Sequence, residues 1–213
     1  MTSKERLLAA VTGKTVDRKP TLAWPNADTS ADVQVYPATE MSGNIGPALA
    51  LIPNLYRRFQ LMGKDPVALL KDTDEKSTGM VDAAEAQSKS EAHKALEQGA
   101  IGVLYEVHGA NAGQCTPMEY GGLFLEKDRA FLESVADAPC NVVYIDGKEP
   151  YLDFVSDLPA KVFAWDATGS TIPVSEVRKL RQGALAADDA EADIPLQVDG
   201  SITETLEGLL IHA

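Results

Sequence analysis

Short, unbroken apolar runs alternate along the chain with longer segments in which apolar residues recur at helical spacing. The clearest run is AIGVLYEVHG at 100–109, and NVVYI, KVFAW and PLQV follow it in turn. Between the first two lies EKDRAFLESVADA, whose Phe131, Val135 and Ala138 share one face of a predicted helix. Apolar strands that alternate with helices predict an α/β fold with a parallel sheet that is covered on both faces.

The N-terminal half follows the same pattern less regularly. KERLLAAV after Ser3 predicts a short helix, and TLAW, which ends at Trp24, and VQVY at 33–36 predict strands. GPALALI is predicted to lead from a glycine-rich loop into an apolar helix, and 73–97 is predicted to be a long alanine-rich surface helix. VSEVRKLRQGALA is predicted as a further helix before PLQV. The pattern therefore predicts about six strands.

Compared with a TIM-barrel-like (β/α) fold, this pattern is shortened by about two βα units. A complete (β/α)8 barrel typically takes ~250 residues, whereas this chain has 213. The length fits a single domain that spans 1–213. A barrel without two of its strands would have open strand edges, which favour pairing between chains. We therefore expect a homo-oligomer.

The charge balance narrows the possible partners. Asp and Glu number 32 against 19 Lys and Arg, a formal net charge of −13, and such a field repels nucleic acids and anionic membrane surfaces. No apolar run approaches the ~18–20 residues that cross a bilayer, and the N-terminal residues lack the apolar stretch of a secretory signal. Cys115 and Cys140 are too few for a disulfide scaffold. We expect a cytoplasmic protein with a small-molecule ligand, and neither nucleic acid nor membrane as a partner.

Polar and aromatic residues stand where the predicted strands end, which is where parallel α/β folds place their ligands. A histidine among carboxylates is typical of an acid–base site or of a site for a hard divalent metal. The candidates in chain order are Trp24, Asn26, Glu106, His108, Asn111, Tyr144, Asp146, Trp165, Asp166, Thr168, Asp199 and Ser201.

Each candidate also has a structural alternative. Asp166 and Asp199 precede small polar residues and a predicted helix, a setting in which helix capping is the more common role. His108, followed by GANAG, suits a pocket about as well as a core position. Glu106 shares the face of His108 only if the strand is regular. These residues by themselves leave both interpretations open.

SKERLLAAVTGKTVDRKPTLAW, with Asp17, Arg18 and Pro20, resembles the N-terminal signature of the uroporphyrinogen decarboxylase superfamily. GPALALIPNLYRRFQLMGKDPVALL is similar to its Gly-Pro segment and Asp-Pro helix, and 138–180 is similar to its later βα units. The resemblance covers most of the chain. It implies a distorted (β/α)8 barrel, and either a cofactor-independent carboxy-lyase for porphyrinogens or a corrinoid-linked methyltransferase that holds zinc through a His-x-Cys pair.

The chain departs from this family in two places. After Trp24 it reads PNADTSADVQVYP, without the arginines that hold substrate carboxylates in the decarboxylases. Where zinc-containing relatives have His-x-Cys, this chain has Tyr144 and Asp146, which form a poorer pair for zinc.

The leading hypothesis is a uroporphyrinogen decarboxylase-like enzyme or relative that takes a tetrapyrrole or small anionic ligand at the C-terminal rim, without a cofactor. His108 would be the acid–base residue, while Asp146 and Asp166 would position or polarise the substrate. The ligand pocket would be lined by Trp24, Asn26, Tyr144 and Trp165. The alternatives are a non-catalytic binding descendant, a methyltransferase-like protein, and a divalent-metal protein that uses His108, Asp146, Asp166 and Asp199.

Overall fold

Eight parallel strands form a closed barrel in the computed structural model, because each strand pairs with the next and the eighth pairs with the first. The structure describes residues 1–24, 28, 30–41 and 46–197. The strands are β1 (Leu22–Ala23), β2 (Val33–Pro37), β3 (Ala48–Pro53), β4 (Gly102–Val107), β5 (Val142–Ile145), β6 (Val162–Trp165), β7 (Ala184–Ala187) and β8 (Ile194–Gln197). The predicted TIM-barrel fold class is therefore confirmed.

Helices lie along the chain between many of these strands. They are α1 (Ser3–Val11), α2 (Leu55–Leu61), α3 (Pro66–Lys71), α4 (Glu75–Glu97), α5 (Pro117–Glu119), α6 (Leu125–Ser134), α7 (Leu152–Val155), α8 (Ala167–Ser170) and α9 (Val174–Leu180). A 3-10 turn spans Ala38–Glu40, and a π-helical turn, Tyr120–Phe124, joins α5 to α6. Within the described ranges, no helix combines the length and the apolar character needed to cross a membrane.

The expected count of six strands is wrong, because two strands have sequences that favour helices. They are ALALIP in β3 and ALAA in β7. Alanine and leucine favour a helix when a segment is judged alone. In the barrel, hydrogen bonds to a strand on each side outweigh that preference. Because nearly every residue of these strands is buried, they also lack the alternation that marks a half-exposed strand.

In the part of the chain that the structure describes, this barrel has all eight strands but lacks helices between some of them. The expected loss of about two βα units is corrected, since all eight strands are present. In the described part of the chain, no α-helix lies between β1 and β2 or between β7 and β8, and only the 3-10 turn lies between β2 and β3. Closure of the sheet removes the open edges on which the expected pairing between chains rested. The homo-oligomer stays a prediction, and light scattering of the purified protein would test it.

The core has an inner layer inside the barrel and an outer layer beneath the helices. The inner layer includes Leu22, Val33, Val35, Leu49, Leu51, Leu104, Val142, Tyr144, Val162, Ala164, Ala186 and Leu196. The outer layer includes Ile52, Val103, Tyr105, Phe131, Val143, Ile145, Phe163, Trp165, Val177 and Leu185. Leu7 of α1 belongs to the inner layer, so this helix covers the N-terminal end of the barrel.

The Asp-Arg pair of the N-terminal sequence signature anchors α1 to the barrel. Arg6 on α1 donates to both carboxylate oxygens of Asp17, at 2.7 and 3.0 Å, and pairs with the buried Asp32 just before β2. Arg18 donates to both oxygens of Asp32, at 2.6 and 2.9 Å. Because this network lies at the N-terminal end of the strands, it serves stability and is remote from the end where barrel enzymes place their chemistry.

Candidate functional site

The C-terminal ends of β4 and β5 bring a histidine and two carboxylates together. Side chains alternate between the two faces of a strand. Leu104 lies in the barrel interior, so Glu106 and His108 also point inward. Tyr144 lies in the interior too, and Asp146 follows two residues later, directly after the end of β5. The strand is regular, and Glu106 and His108 share one face.

The imidazole ring of His108 lies between the two carboxylates. Its Nε2 is 3.0 Å from Glu106 Oε1, and its Nδ1 is 3.1 Å from Asp146 Oδ2. His108 and Glu106 are buried, whereas the Asp146 side chain is 36% exposed. The imidazole is thus held inside the barrel, and one of its carboxylate neighbours reaches solvent.

The neighbours of Nδ1 permit two proton positions. Gln114 Nε2 lies 3.3 Å from this nitrogen and can donate to it when it carries no proton. When Nδ1 carries a proton, the carboxylate of Asp146, whose Oδ2 lies 3.1 Å away, offers it a negative charge. A ring whose nitrogen is supported in both states is suited to accept a proton and to release it.

The pKa of Asp146 is raised above its ordinary value. Burial is the main cause; the positive charge of His108 opposes it, and the negative charge of Glu106 adds to it. A carboxyl group with a raised pKa releases its proton less readily than an exposed aspartate does. Asp146 is therefore suited to exchange protons with His108.

Three buried polar atoms near this end of the barrel have no hydrogen-bond partner among the described residues. They are Trp24 Nε1, Glu106 Oε2 and His108 Nε2, the last because the 3.0 Å approach of Glu106 Oε1 lacks the alignment of a hydrogen bond. Leaving such a group unpaired costs about 1–3 kcal/mol, so buried polar groups normally have partners. These atoms are the positions at which a bound ligand or water would complete the hydrogen bonding.

Trp24 and Tyr144 form an aromatic pair inside the barrel. Their ring centroids are 5.9 Å apart and their planes meet at 86°. Burial raises the pKa of Tyr144 well above its ordinary value, and the negative charges of Asp146 and Asp166 raise it further. The phenol therefore stays protonated and can donate a hydrogen bond beside the His108 cluster.

Asp166 and Asp188 are used to cap α8. Asp166 Oδ1 accepts from the backbone N–H of Gly169 at 2.6 Å, and Asp188 Oδ1 accepts from that of Ala167 at 2.7 Å. This is the capping alternative that the sequence suggested for Asp166. Its carboxylate also contributes negative charge near Tyr144. The structure gives Asp166 a helix-capping contact and no contact with His108.

Trp165 lies on the opposite side of the barrel wall from Trp24 and Tyr144. It is fully buried in the outer layer, and its indole N–H donates to the carbonyl of Ile172 at 3.0 Å. The structure therefore brings Trp24, His108, Tyr144 and Asp146 to one end of the barrel interior but does not bring Trp165 there. Asn26, Asp199 and Ser201 lie outside the described residues.

Two glycines allow the chain to turn directly after the site residues. Gly109 follows His108 with φ +88°, and Gly147 follows Asp146 with φ +102°. Residues with a Cβ rarely adopt these conformations. A Cβ at Gly147 would also collide with the side-chain amide of Asn111. These turns let the chain leave β4 and β5 directly after His108 and Asp146, the last side chains that point into the barrel.

The sequence analysis missed two residues that lie outside the barrel next to the site: Asn54, which bonds the backbone of His108, and Asp128, which bonds Asn54. Asn54 follows β3, and its side chain is hydrogen-bonded to the backbone of His108. The sequence did not reveal Asn54 as a residue that follows a strand, because the segment that forms β3 was predicted to be helical. Asp128 on α6 is completely buried and bonded to Asn54. The burial of Asp128 could have been inferred from the sequence. Asp128 lies three residues before Phe131 and seven before Val135, so it shares the apolar face of this predicted helix.

Asp128 is expected to make stability depend on pH. Burial raises its pKa to about 7, although hydrogen bonds from Tyr105, Tyr120 and Asn54 act in the opposite direction. Its contribution to stability is therefore full below its unfolded pKa of 3.8 and is lost as the pH rises through 7. Relative to Asp128→Asn, the wild-type free energy of unfolding should fall on the order of 3 kcal/mol between pH 5 and 8. Urea unfolding at several pH values would measure this.

A matched control is Asp74, which caps α4. Hydrogen bonds from the backbone and side chain of Ser77 lower its pKa, so its contribution is lost as the pH falls and not as it rises. The difference between wild type and Asp74→Asn should stay constant between pH 5 and 8. A constant difference for Asp128→Asn over the same interval would contradict the raised pKa of Asp128.

The residues at this end of the barrel do not fit a thiolate-bound zinc. Among the described residues, no group of three or more His, Cys, Asp or Glu side chains is arranged to hold a metal ion. Burial raises the pKa of Cys115 to about 11 and that of Cys140 to about 12, whereas zinc binds the thiolate. Cys140 also precedes β5, at the opposite end of the strand from Asp146. We therefore assign no step of a reaction to zinc.

These observations define a TIM-barrel protein with a histidine–carboxylate cluster at the C-terminal end of the barrel. Among solved structures, the chain is similar to a methyltransferase from Methanosarcina mazei, with a TM-score of 0.66 and 15% identity. The similarity covers 87% of this chain and 82% of that one. No protein-family model and no curated protein sequence matches the chain. At this identity the similarity establishes the shared fold, and the uroporphyrinogen decarboxylase-like assignment stays a prediction.

Proposed function

We propose that this protein is a methyltransferase-like TIM-barrel enzyme in which His108 transfers a proton at the C-terminal end of the barrel. The observation that carries the proposal is the position of the imidazole, within 3.1 Å of a carboxylate oxygen at each nitrogen. Its burial and the unpaired Nε2 support a role toward a ligand. The fold similarity to a methyltransferase favours methyl transfer among the reactions that this fold supports.

The proposed role of His108 follows from the two protonation states of its imidazole ring. When a thiol or amine takes a methyl group from a methyl donor, its bond to the methyl carbon forms as the bond between that carbon and the donor breaks, and the thiol or amine loses its proton. His108 is placed to take that proton, and Glu106 and Asp146 would stabilise the resulting imidazolium. Asp146 is partly exposed, so it offers a route by which the proton reaches solvent.

Decarboxylation of a porphyrinogen is the weaker candidate. A substrate with several carboxylates is best held by arginine side chains that bind them in pairs. This end of the barrel instead carries Glu106 and Asp146, with Asp166 close enough for its charge to affect Tyr144. The positive charge of Arg57 acts on Asp146 but offsets only part of this field. A neutral or cationic small molecule suits the site better than a polyanion.

The direct test compares two reactions with the same purified protein. Methylcobalamin serves as methyl donor to a thiol or an amine, and mass spectrometry follows the methylated product. Uroporphyrinogen is supplied separately, and the loss of its carboxyl groups is followed. We expect methylated product and no decarboxylation. Decarboxylation without methyl transfer would favour the lyase, and the absence of both reactions would favour a non-catalytic binding protein.

A further inference from the structure

Asn54 extends the pairing between β3 and β4 beyond the last residue of β3. Its backbone N–H donates to the carbonyl of Glu106 at 2.8 Å. Its side-chain Nδ2 donates to the carbonyl of His108 at 2.9 Å, and its Oδ1 accepts from the N–H of His108 at 3.3 Å. One side chain thus holds the peptide groups on both sides of the His108 Cα. The backbone that carries the imidazole is fixed from outside the barrel.

The orientation of the Asn54 amide is fixed in turn by its other contacts. Oδ1 also accepts from the backbone N–H of Arg57 at 3.0 Å, as the cap of α2. Nδ2 faces both oxygens of Asp128, at 3.3 and 3.4 Å. If the amide were reversed, its NH₂ group would face two N–H donors and its oxygen would face a carbonyl and a carboxylate. Only one orientation satisfies all four neighbours.

Asp128 is itself held by two phenols. Tyr105 on β4 and Tyr120 at the start of the π-helical turn each donate to it at 2.8 Å, one to each oxygen. Single π-helical turns are rare and occur frequently at functional sites. Here the turn carries Tyr120, and α6, which follows it, carries Asp128. The network therefore joins α6, the π-helical turn, β4 and the N-terminus of α2.

We infer that Asn54 and Asp128 are positioning residues for His108: the buried carboxyl orients the amide, and the amide sets the backbone of His108 so that its ring meets Glu106 and Asp146. This inference rests on the proposed function for the catalytic meaning of that position. The network has no contact with the ring, so it acts only through the backbone. Rigid support of this kind matters because a displacement of about 1 Å can cost about 100-fold in rate.

The test uses two variants that break the network at different points. Asn54→Ser keeps an oxygen that caps α2 but loses both contacts with the His108 backbone. Asp128→Asn keeps the size of the side chain but removes the carboxylate that orients Asn54. Asp74→Ser is the matched control, because it changes the cap of α4, which is not part of the network. Melting curves would establish that each variant is folded.

The first measurement is the Cε1–H resonance of His108 in protein labelled at its three histidines, assigned by comparison with His108→Gln. We expect it to shift in Asn54→Ser and in Asp128→Asn and to remain unchanged in Asp74→Ser. The second measurement is turnover, which should fall about 10- to 100-fold in the two network variants, mainly in kcat.

A His108 resonance that matches the wild type in both network variants would overturn the inference. If Asn54→Ser does not fold, the isosteric Asp128→Asn decides by itself. If the wild-type protein shows no turnover, the proposed function fails, whereas the resonance still decides whether Asn54 and Asp128 position His108. The two proposals can therefore fail independently.

Discussion

Replacing His108 with glutamine is expected to lower kcat/KM by about 10²- to 10⁴-fold, the range that a general acid–base residue contributes. Glutamine fills much of the same space and keeps an amide that can donate toward Glu106 or Asp146. It cannot take up a proton at neutral pH. The loss should therefore appear in turnover, with a much smaller effect on the melting temperature. Steady-state kinetics and circular-dichroism melts on the same preparations would measure both.

His93→Gln is the matched control for this experiment. His93 lies on the exposed side of α4, and its Nε2 is 3.2 Å from the carbonyl of Ser134. Its loss should leave both turnover and melting temperature close to the wild-type values. If His108→Gln turned over substrate as fast as His93→Gln does, His108 would have no part in the mechanism.

Replacing Asp32 with alanine is expected to lower the free energy of unfolding by about 3–5 kcal/mol, the usual cost of removing one partner from a buried ion pair. The Asp32 side chain is inaccessible to solvent and accepts hydrogen bonds from Ser3, Arg6, Arg18 and the backbone N–H of Thr21. Burial alone would raise its pKa, but these donors outweigh burial and lower it. Without the carboxylate, the buried Arg6 keeps only its contact with Asp17 as an ion pair.

Asp157→Ala provides the comparison on the surface. Asp157 is 69% exposed and pairs with Arg129 at 3.0 Å, and pairs of this kind contribute about 1 kcal/mol or less. Denaturant unfolding of both variants would separate the two cases. Equal losses would mean that the Asp32 network does not hold α1 on the barrel. A selective loss for Asp32→Ala would assign a structural role to the network that Arg18 of the sequence signature forms with Asp32.

The candidate site could be predicted in part because strand ends are easy to recognise. His108, Tyr144 and Asp146 follow clear apolar runs, and alternation along a regular strand puts them inside the barrel. Trp165 has the same local setting, yet it directly follows the inward-facing Ala164, so alternation along β6 directs it outward. A shift of one residue in the inferred register changes the face, and boundaries read from one sequence are uncertain by more than that.

The supporting residues could not be predicted, because their roles depend on contacts between distant segments. Asn54 is 54 residues from His108 along the chain, and 74 from Asp128. An aspartate on the apolar face of α6 is visible in the sequence, but its partners are not. Hydrogen bonds between such segments form only after the barrel has closed.

The sequence by itself indicated an α/β fold with a parallel sheet, and it placed His108, Tyr144 and Asp146 where strands end. These follow from local periodicity, which a short stretch of chain already contains. The tertiary structure alone decided that β3 and β7 are strands, that the barrel closes with eight of them, and that His108 is held by Asn54 and Asp128. The physical reason is that alanine- and leucine-rich segments favour a helix until neighbouring strands supply their hydrogen bonds. Strand pairing and buried polar contacts both depend on neighbours that only the folded chain provides.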